Sequence, residues 1–181
     1  GIPVDAARIT SDKLLMKDKF KQNDIAIPWY REIFSHKELH EIIHSSVKNY
    51  VIKPVDSRGA RGVQKINSSS NLKEAYLEAK NNSPTYRVML ENYISGPQLS
   101  TESLVIDSKS YTIGLSDRNY DLLDKYSPFI IENGGDLPAS LNDIQKKNVN
   151  IIIDKVAKSL NIKNGVIKGD IVFEPDSNDP I

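Results

Sequence analysis

Thirteen residues, Val51 to Val63 (VIKPVDSRGARGV), constrain this chain more than any others. The run from Tyr50 to Val55 is apolar and meets a proline, the signature of a short buried strand. Yet Lys53 stands in its middle, and lysine is almost never fully buried unless it is paired. The loop that follows places Arg58 before Gly59, then Ala60, and Arg61 before Gly62. Glycines let backbone N–H groups approach an anion closely, while lysine and arginine supply countercharge. Val63 to Ile66 then returns as a strand. A glycine loop alone could be a plain hairpin, but a strand that delivers a lysine into it points to an anion site. It is not a G-x-x-x-x-G-K-[ST] loop, which occurs nowhere in the chain. Nor is it a dinucleotide fingerprint, because it leads into a strand rather than a helix.

The flanking periodicities supply the rest of the frame. Leu14, Leu15, Met16 and Phe20 predict a helix over Asp12 to Asn23, capped by Ser11 or Asp12. Ile25 to Phe34, broken by Pro28, predicts a turn and then a strand. Leu39, Ile42, Ile43 and Val47 mark one face of a helix over Lys37 to Val47. Leu72, Ala75, Tyr76 and Ala79 mark another over Asn71 to Lys80. Tyr86 to Ile94 predicts a strand that ends at the turn Ser95-Gly96-Pro97. Leu104 to Ile106 and Tyr111 to Leu115 flank DSKS as a hairpin, and Tyr120 to Leu141 is polar and irregular. The longest helix is predicted over Asn142 to Leu160, with Ile144, Val149, Ile152, Ile153, Val156 and Leu160 inward. Val166 to Phe173 forms the last strand, and its alternation puts Lys168 and Asp170 on one side. The fold class is therefore α+β, in two lobes meeting near Gly96 with a ligand cleft between them. Residues 1–27 are read as a linker and helix, 28–95 as a small lobe with the glycine loop, and 96–181 as a larger lobe cut short at its C-terminus.

Composition narrows the partners. Lysine plus arginine equals aspartate plus glutamate at 24 each, so no global charge favours nucleic acid or an acidic membrane. No apolar run approaches membrane-spanning length, and GIPVDAARITSDK has no signal-peptide pattern. The chain has no cysteine, which removes disulfides and thiolate chemistry and fits a cytoplasmic location.

One motif points elsewhere. SHKELHEIIHSS contains H-E-I-I-H, the H-E-x-x-H spacing of zinc proteases, with Glu74 or Glu78 offered as a third ligand. Yet His40 and His44 flank the apolar stripe of Leu39, Ile43 and Val47, and only 39 residues precede His40. A protease would also leave Lys53, the glycine loop and Asp170 without a role. The spacing is expected to be fortuitous.

Taken singly, the other polar residues have plain readings: Lys13 as a surface helix lysine, Glu91 as a solvated strand end, Asp170 as a turn cap or a partner for Lys168. Their order is more informative. SDKLLMK, VIKP, SRGARGV, LENYISGPQLSTE and KGDIVFEP follow the order of the ATP-grasp superfamily. The chain resembles the branch containing biotin carboxylase and the large subunit of carbamoyl-phosphate synthase, over about Ile9 to Glu174. The resemblance implies an ATP-grasp fold in which Lys13 and Lys53 contact the α- and β-phosphates and Gly59, Ala60, Arg61 and Gly62 close over the triphosphate. Glu91, Asn92, Tyr93 and Ile94 would form the hinge reading the adenine edge, with Val51, Ile94 and Val172 enclosing the ring. Gln98 stands where many members carry a glutamate on the ribose, and an amide still bonds hydroxyls. Asp170 matches the first Mg2+ carboxylate, with Mn2+ an alternative ion. The catalytic residues are left open, with Arg118 the candidate; it and the loop ENGGDLPAS would meet the substrate.

The implied activity is an ATP- and Mg2+-dependent carboxylate–amine ligase, carbamoyl-phosphate-synthase-like, working through an acyl phosphate. Its partners would be ATP, a carboxylate substrate and an amine acceptor. The family's second metal carboxylate and its preceding domain have no match, so the chain reads as a fragment of a larger ligase, inactive alone. A non-catalytic nucleotide-binding module on the same fold is the alternative.

Overall fold

A computed structural model describes residues 1–177 and 179–181. Two helices open the chain, α1 (Val4–Ser11) and α2 (Lys13–Lys21). Asp12 separates them, its carboxylate accepting from the backbone N–H groups of Leu14 and Leu15, which satisfies donors a helix start otherwise leaves open.

The first sheet contains β1 (Tyr30–Ile33), β2 (Tyr50–Pro54), β3 (Gln64–Ile66) and β4 (Val88–Asn92), in the order β1-β4-β2-β3 and antiparallel throughout. Helices α3 (His36–His44) and α4 (Leu72–Asn81) cover one face. Tyr50, Ile52, Ile66, Val88 and Leu90 point into that layer and join Leu39, Ile43, Tyr76 and Ala79 in one buried core. The pleat sends the alternate residues to the opposite face, where Val55 and Met89 meet Leu14 of α2.

The second sheet contains β5 (Gln98–Ile106), β6 (Lys109–Arg118) and β7 (Gly165–Val172), in the order β6-β5-β7. Asp107 and Ser108, both at positive φ, make the two-residue turn between β5 and β6, a geometry that matches strand twist. Leu99, Ile171 and Phe173 pack on α5 (Asp143–Ser159) through Val149 and Ile153. Ala6 of α1, Ile25 and Val105 join Val156, Ala157 and Leu160 in a further core. The opening helices therefore touch both sheets.

Two apolar positions depart from the expected pattern. Helix α3 ends at His44 with Ser45 as its cap, so Val47 lies beyond it and is fully exposed. Ile144 sits in the first turn of α5, before the helix reaches the sheet, and is also exposed. Past β7, Asp179 to Ile181 turn back along the strand: Ile181 and Val172 exchange backbone hydrogen bonds at 2.8 and 3.1 Å. Asn178 lies outside the described residues.

Candidate functional site

The face of the first sheet turned away from α3 and α4 is where the buried charge collects. Val51 lies opposite Glu91, and Lys53 opposite Met89, so Lys53 and Glu91 are diagonal neighbours across the β2–β4 pair. Lys53 Nζ pairs with Glu91 Oε1. Lys17 Nζ, reaching in from α2, lies 2.9 Å from Glu91 Oε2. The contact to Oε2 is an ion pair without hydrogen-bond alignment. Burial alone pushes the Glu91 carboxyl up, but Lys53 and Lys17 together hold it below the usual carboxylate range. Burial pushes the Lys17 ammonium down, against the attraction of Glu91.

Lys13 sits one helical turn before Lys17 and is used differently. Its Nζ donates to the carbonyls of Ser57 at 2.8 Å, Pro54 at 3.1 Å and Val55 at 3.2 Å. All three ammonium protons are thus spent on the strand end where the glycine loop begins. Burial, then the nearby Lys53 charge, hold Lys13 below its ordinary value. Three ammonium groups thus gather beside the glycine loop, Lys17 buried and Lys13 and Lys53 half-buried, with Glu91 between Lys17 and Lys53 and the Asp56 and Asp12 carboxylates near Lys13.

The loop has a defined shape. Gly59, Ala60 and Gly62 all have positive φ. A Cβ on Gly62 would fall 2.9 Å from Asn82 Cβ and 3.2 Å from Ala79 Cα, so this glycine is pressed against the end of α4. A Cβ on Gly59 would meet nothing within 4 Å, and Arg58, Ala60 and Arg61 are exposed. Asp56 anchors the loop's entrance by accepting from Ser83 Oγ at 2.5 Å and Thr85 Oγ1 at 2.7 Å.

The second sheet presents a polar face. Leu99, Thr101, Ser103 and Val105 of β5 are buried, leaving Gln98, Ser100 and Glu102 on the other side. Cross-strand register aligns Arg118, Gln98 and Val172 in one row and Ser116, Ser100 and Asp170 in the next. Arg118 bridges the sheet, with Nη1 3.2 Å from Asp170 Oδ1 and Nη2 3.0 Å from Glu132 Oε2. Its buried Nε has no hydrogen-bond partner, an unusual state for a buried donor. Tyr120 is pushed up by burial first, and also feels Arg118, Glu132, Asp170 and Tyr93.

Besides the opening helices, two further segments link the two sheets. At Ser95-Gly96-Pro97, a Cβ on Gly96 would lie 1.7 Å from the Phe173 carbonyl oxygen, and Phe173 N–H donates to Pro97 O at 2.9 Å. Only glycine permits that approach. Past Tyr120, residues 121–129 reach back to the first sheet, where Lys65 N–H donates to Pro128 O at 2.8 Å and Gln64 bridges Phe129.

Of the residues singled out in the sequence, the structure brings together Lys13, Lys53 and Glu91 in one cluster. It sets Arg118 beside Asp170, and Gln98 beside Val172. Val51 is buried in the row of Glu91, while Asn92, Tyr93 and Ile94 lead half-buried into the Gly96 turn. Lys17 and Tyr120 are not among the site residues the sequence singles out, whereas Glu132 opens the loop ENGGDLPAS offered there as a substrate contact. Lys17 has a signal, since it lies four residues after Lys13 and so on the same helical face. Asp170 pairs with Arg118 across the sheet rather than with Lys168.

The H-E-I-I-H helix carries no comparable cluster. Ser35 caps it by accepting from Glu38 N–H, and His36, His40 and His44 are all exposed. The rings of His40 and His44 stack at 3.8 Å. Glu74 accepts from Asn71 and Glu78 from Asn82, both on α4. Among the described residues, no group of three or more histidine, cysteine, aspartate or glutamate side chains is arranged to hold a metal. A cavity of about 590 Å³ lies beside these histidines. Another, of about 600 Å³, is lined by Asn49, Lys65, Glu74 and Asp124. Neither takes in Lys13, Lys53, Glu91 or Asp170, and we place the chemistry by the buried charges, which cost free energy to maintain.

An antiparallel sheet with a glycine loop, hinged to a second sheet with a polar inner face, defines an ATP-grasp domain. Residues 10–178 match the ATP-grasp domain family, and the chain belongs to it. A D-alanine–D-alanine ligase from Marinobacter nauticus is 32% identical over 128 residues, covering 70% of this chain and 38% of that protein. Among solved structures, VanG D-Ala:D-Ser ligase from Enterococcus faecalis superposes with a TM-score of 0.81 at 17% identity, over 99% of this chain and 54% of that one. Biotin carboxylase from Campylobacter jejuni gives a TM-score of 0.80 at 16% identity, over 99% and 41%. The chain thus spans well under two thirds of these relatives. Among the described residues, no helix is long and apolar enough to cross a membrane.

Proposed function

We propose that this chain is the nucleotide-binding domain of an ATP- and Mg2+-dependent carboxylate–amine ligase that works through an acyl phosphate. The observation that carries it is the cluster of three ammonium groups beside the glycine loop, Lys17 and Lys53 on Glu91 and Lys13 on the carbonyls at the loop entrance. A polyanion suits such a cluster of ammonium groups, and membership of the ATP-grasp domain family supports ATP as that ligand. Lys53 contacts the phosphates, and Lys13 shapes the loop entrance from which Gly59 to Gly62 extend over them. Glu91 to Ile94 read the adenine edge, Val51, Ile94 and Val172 enclose it, and Gln98 meets the ribose.

Asp170, an oxygen donor on the polar face with its side chain 64% exposed, fits Mg2+, which takes one or two carboxylates and completes its shell with phosphate oxygens and water; Mn2+ accepts the same donors. When bound, the metal withdraws charge from the transferred phosphoryl group. Arg118, beside Asp170 with an unpartnered Nε, orients the substrate carboxylate. A carboxylate oxygen attacks the γ-phosphorus and ADP leaves. An amine then displaces phosphate at the acyl carbon, losing its proton as the C–N bond forms. Carbamoyl-phosphate-synthase-like enzymes do this with bicarbonate. The curated relative is named a D-alanine–D-alanine ligase, which supports an amino-acid carboxylate here. Whole-enzyme turnover, and parts of a parent chain that contribute to the acceptor site, belong to the same proposal.

Calorimetry with ATP and Mg2+ tests the reading. Binding that Lys53→Ala weakens is expected; no heat at millimolar ATP overturns it.

A further inference from the structure

We propose that Lys17 is a positioning residue of this cleft. It holds the Glu91 carboxylate while Lys53 exchanges that carboxylate for a phosphate oxygen. The inference rests on the nucleotide-binding reading above and concerns how the same site avoids being blocked by its own ion pair.

The difficulty is geometric. Lys53, the residue placed to meet phosphate, is already paired with Glu91 Oε1. Were that pair the only one, moving Lys53 would strand a carboxylate whose side chain is 11% exposed. A buried charge left without a partner is strongly unfavourable, so the pair would resist the ligand. Lys17 removes the obstacle by occupying the other oxygen, Oε2, at 2.9 Å.

The surroundings divide the labour among the three lysines. Lys13 cannot stand in for Lys17, because its three protons are committed to the carbonyls of Pro54, Val55 and Ser57. The Lys17 side chain is 9% exposed and that of Lys53 is 18%, so Lys53 has the freer path to a ligand. Lys17 is fixed on a helix seated by the Asp12 cap and by Leu14 against Val55 and Met89. Its Nζ lies 5.7 Å from the Tyr30 ring centroid, and the Tyr30 hydroxyl is itself held by Asp18. No phosphate-facing role is needed to explain it. Glu91 opens the proposed hinge segment, followed by the half-buried Asn92 to Ile94, so holding its carboxylate also holds the end of β4.

The test is a thermodynamic cycle of Lys17→Met and Glu91→Gln, read by the affinity for ATP with Mg2+, with thermal unfolding run alongside. Lys17→Met is expected to weaken ATP by about tenfold or more, because Lys53 must then stay with the otherwise orphaned carboxylate. In the Glu91→Gln background there is no charge to hold, and the same substitution is expected to change affinity by less than about threefold. Lys17→Arg, which keeps the ion pair, is expected to restore most of the wild-type affinity. An equal loss in both backgrounds makes Lys17 a phosphate ligand or a purely structural residue and overturns the proposal. So does the absence of any loss. If Lys17→Met alone does not fold, Glu91→Gln with and without Lys17→Met carries the test, and a tenfold loss there refutes it. Wild-type protein that binds no nucleotide overturns the cleft assignment itself, and this inference with it.

Discussion

Gly59 and Gly62 share a backbone conformation but not an environment, and that difference makes the loop's anchoring measurable. Their φ values are +67° and +69°, so an alanine at either meets the left-handed penalty of about 1–2 kcal/mol. Part of this is offset because alanine narrows the unfolded ensemble by about 0.4–1 kcal/mol. Gly59→Ala, with open space around the new Cβ, is therefore expected to cost about 1 kcal/mol. Gly62→Ala adds contacts of 2.9 Å to Asn82 Cβ, 3.1 Å to Pro54 Cγ and 3.2 Å to Ala79 Cα. Two of these are at or next to backbone and cannot swing aside, so overpacking adds about 1–3 kcal/mol. For a domain of this size each kcal/mol moves Tm by about 2–4 °C. Thermal unfolding should place Gly59→Ala about 2–4 °C below wild type and Gly62→Ala, at about 2–4 kcal/mol in all, about 4–16 °C below it. If the two fall within about 2 °C of each other, the loop is not held against α4 and the steric argument fails.

Other outcomes follow from the same structure. Arg87 donates to Glu32 at 2.7 Å and to Asp12 at 2.6 Å, so Arg87→Met is expected to cost about 2 kcal/mol in urea unfolding by leaving two carboxylates without their donor; a loss under about 0.5 kcal/mol would make the bridge a surface pair. Because the Glu91 carboxyl is held below its ordinary value, its contribution to stability is present above the unfolded pKa of about 4.3 and lost as pH falls through the lower folded value. Glu91→Gln should therefore flatten the acid limb of the stability curve, and an unchanged limb would count against a charged Glu91. Asp170→Asn is expected to reduce the Mg2+-dependent part of ATP affinity, compared by calorimetry with and without the metal. Zinc is expected not to bind stoichiometrically, and a tight zinc ion lost on His44→Ala would restore the H-E-I-I-H reading.

Much of the frame was written in the chain. A lysine inside an apolar strand, followed by a glycine loop and a returning strand, called for a countercharge, and the fold supplies one from Glu91. Alternation in β7 placed Lys168 and Asp170 on one side without any knowledge of what lay opposite, since the strand period of two is local. Such local rules give faces and turns but not partners. That Glu91 serves Lys17 and Lys53 at once depends on α2 lying across a sheet formed by residues far along the chain, and a helical spacing cannot say which sheet it will meet. That Arg118 reaches Asp170 depends on β5 standing between their two strands, which is a matter of strand order. The protease-like spacing in α3 illustrates the same limit. Two histidines one turn apart are a fact of sequence, but whether other ligands converge on them is decided by packing, and here packing turns that face outward and gathers the charge around Glu91 instead.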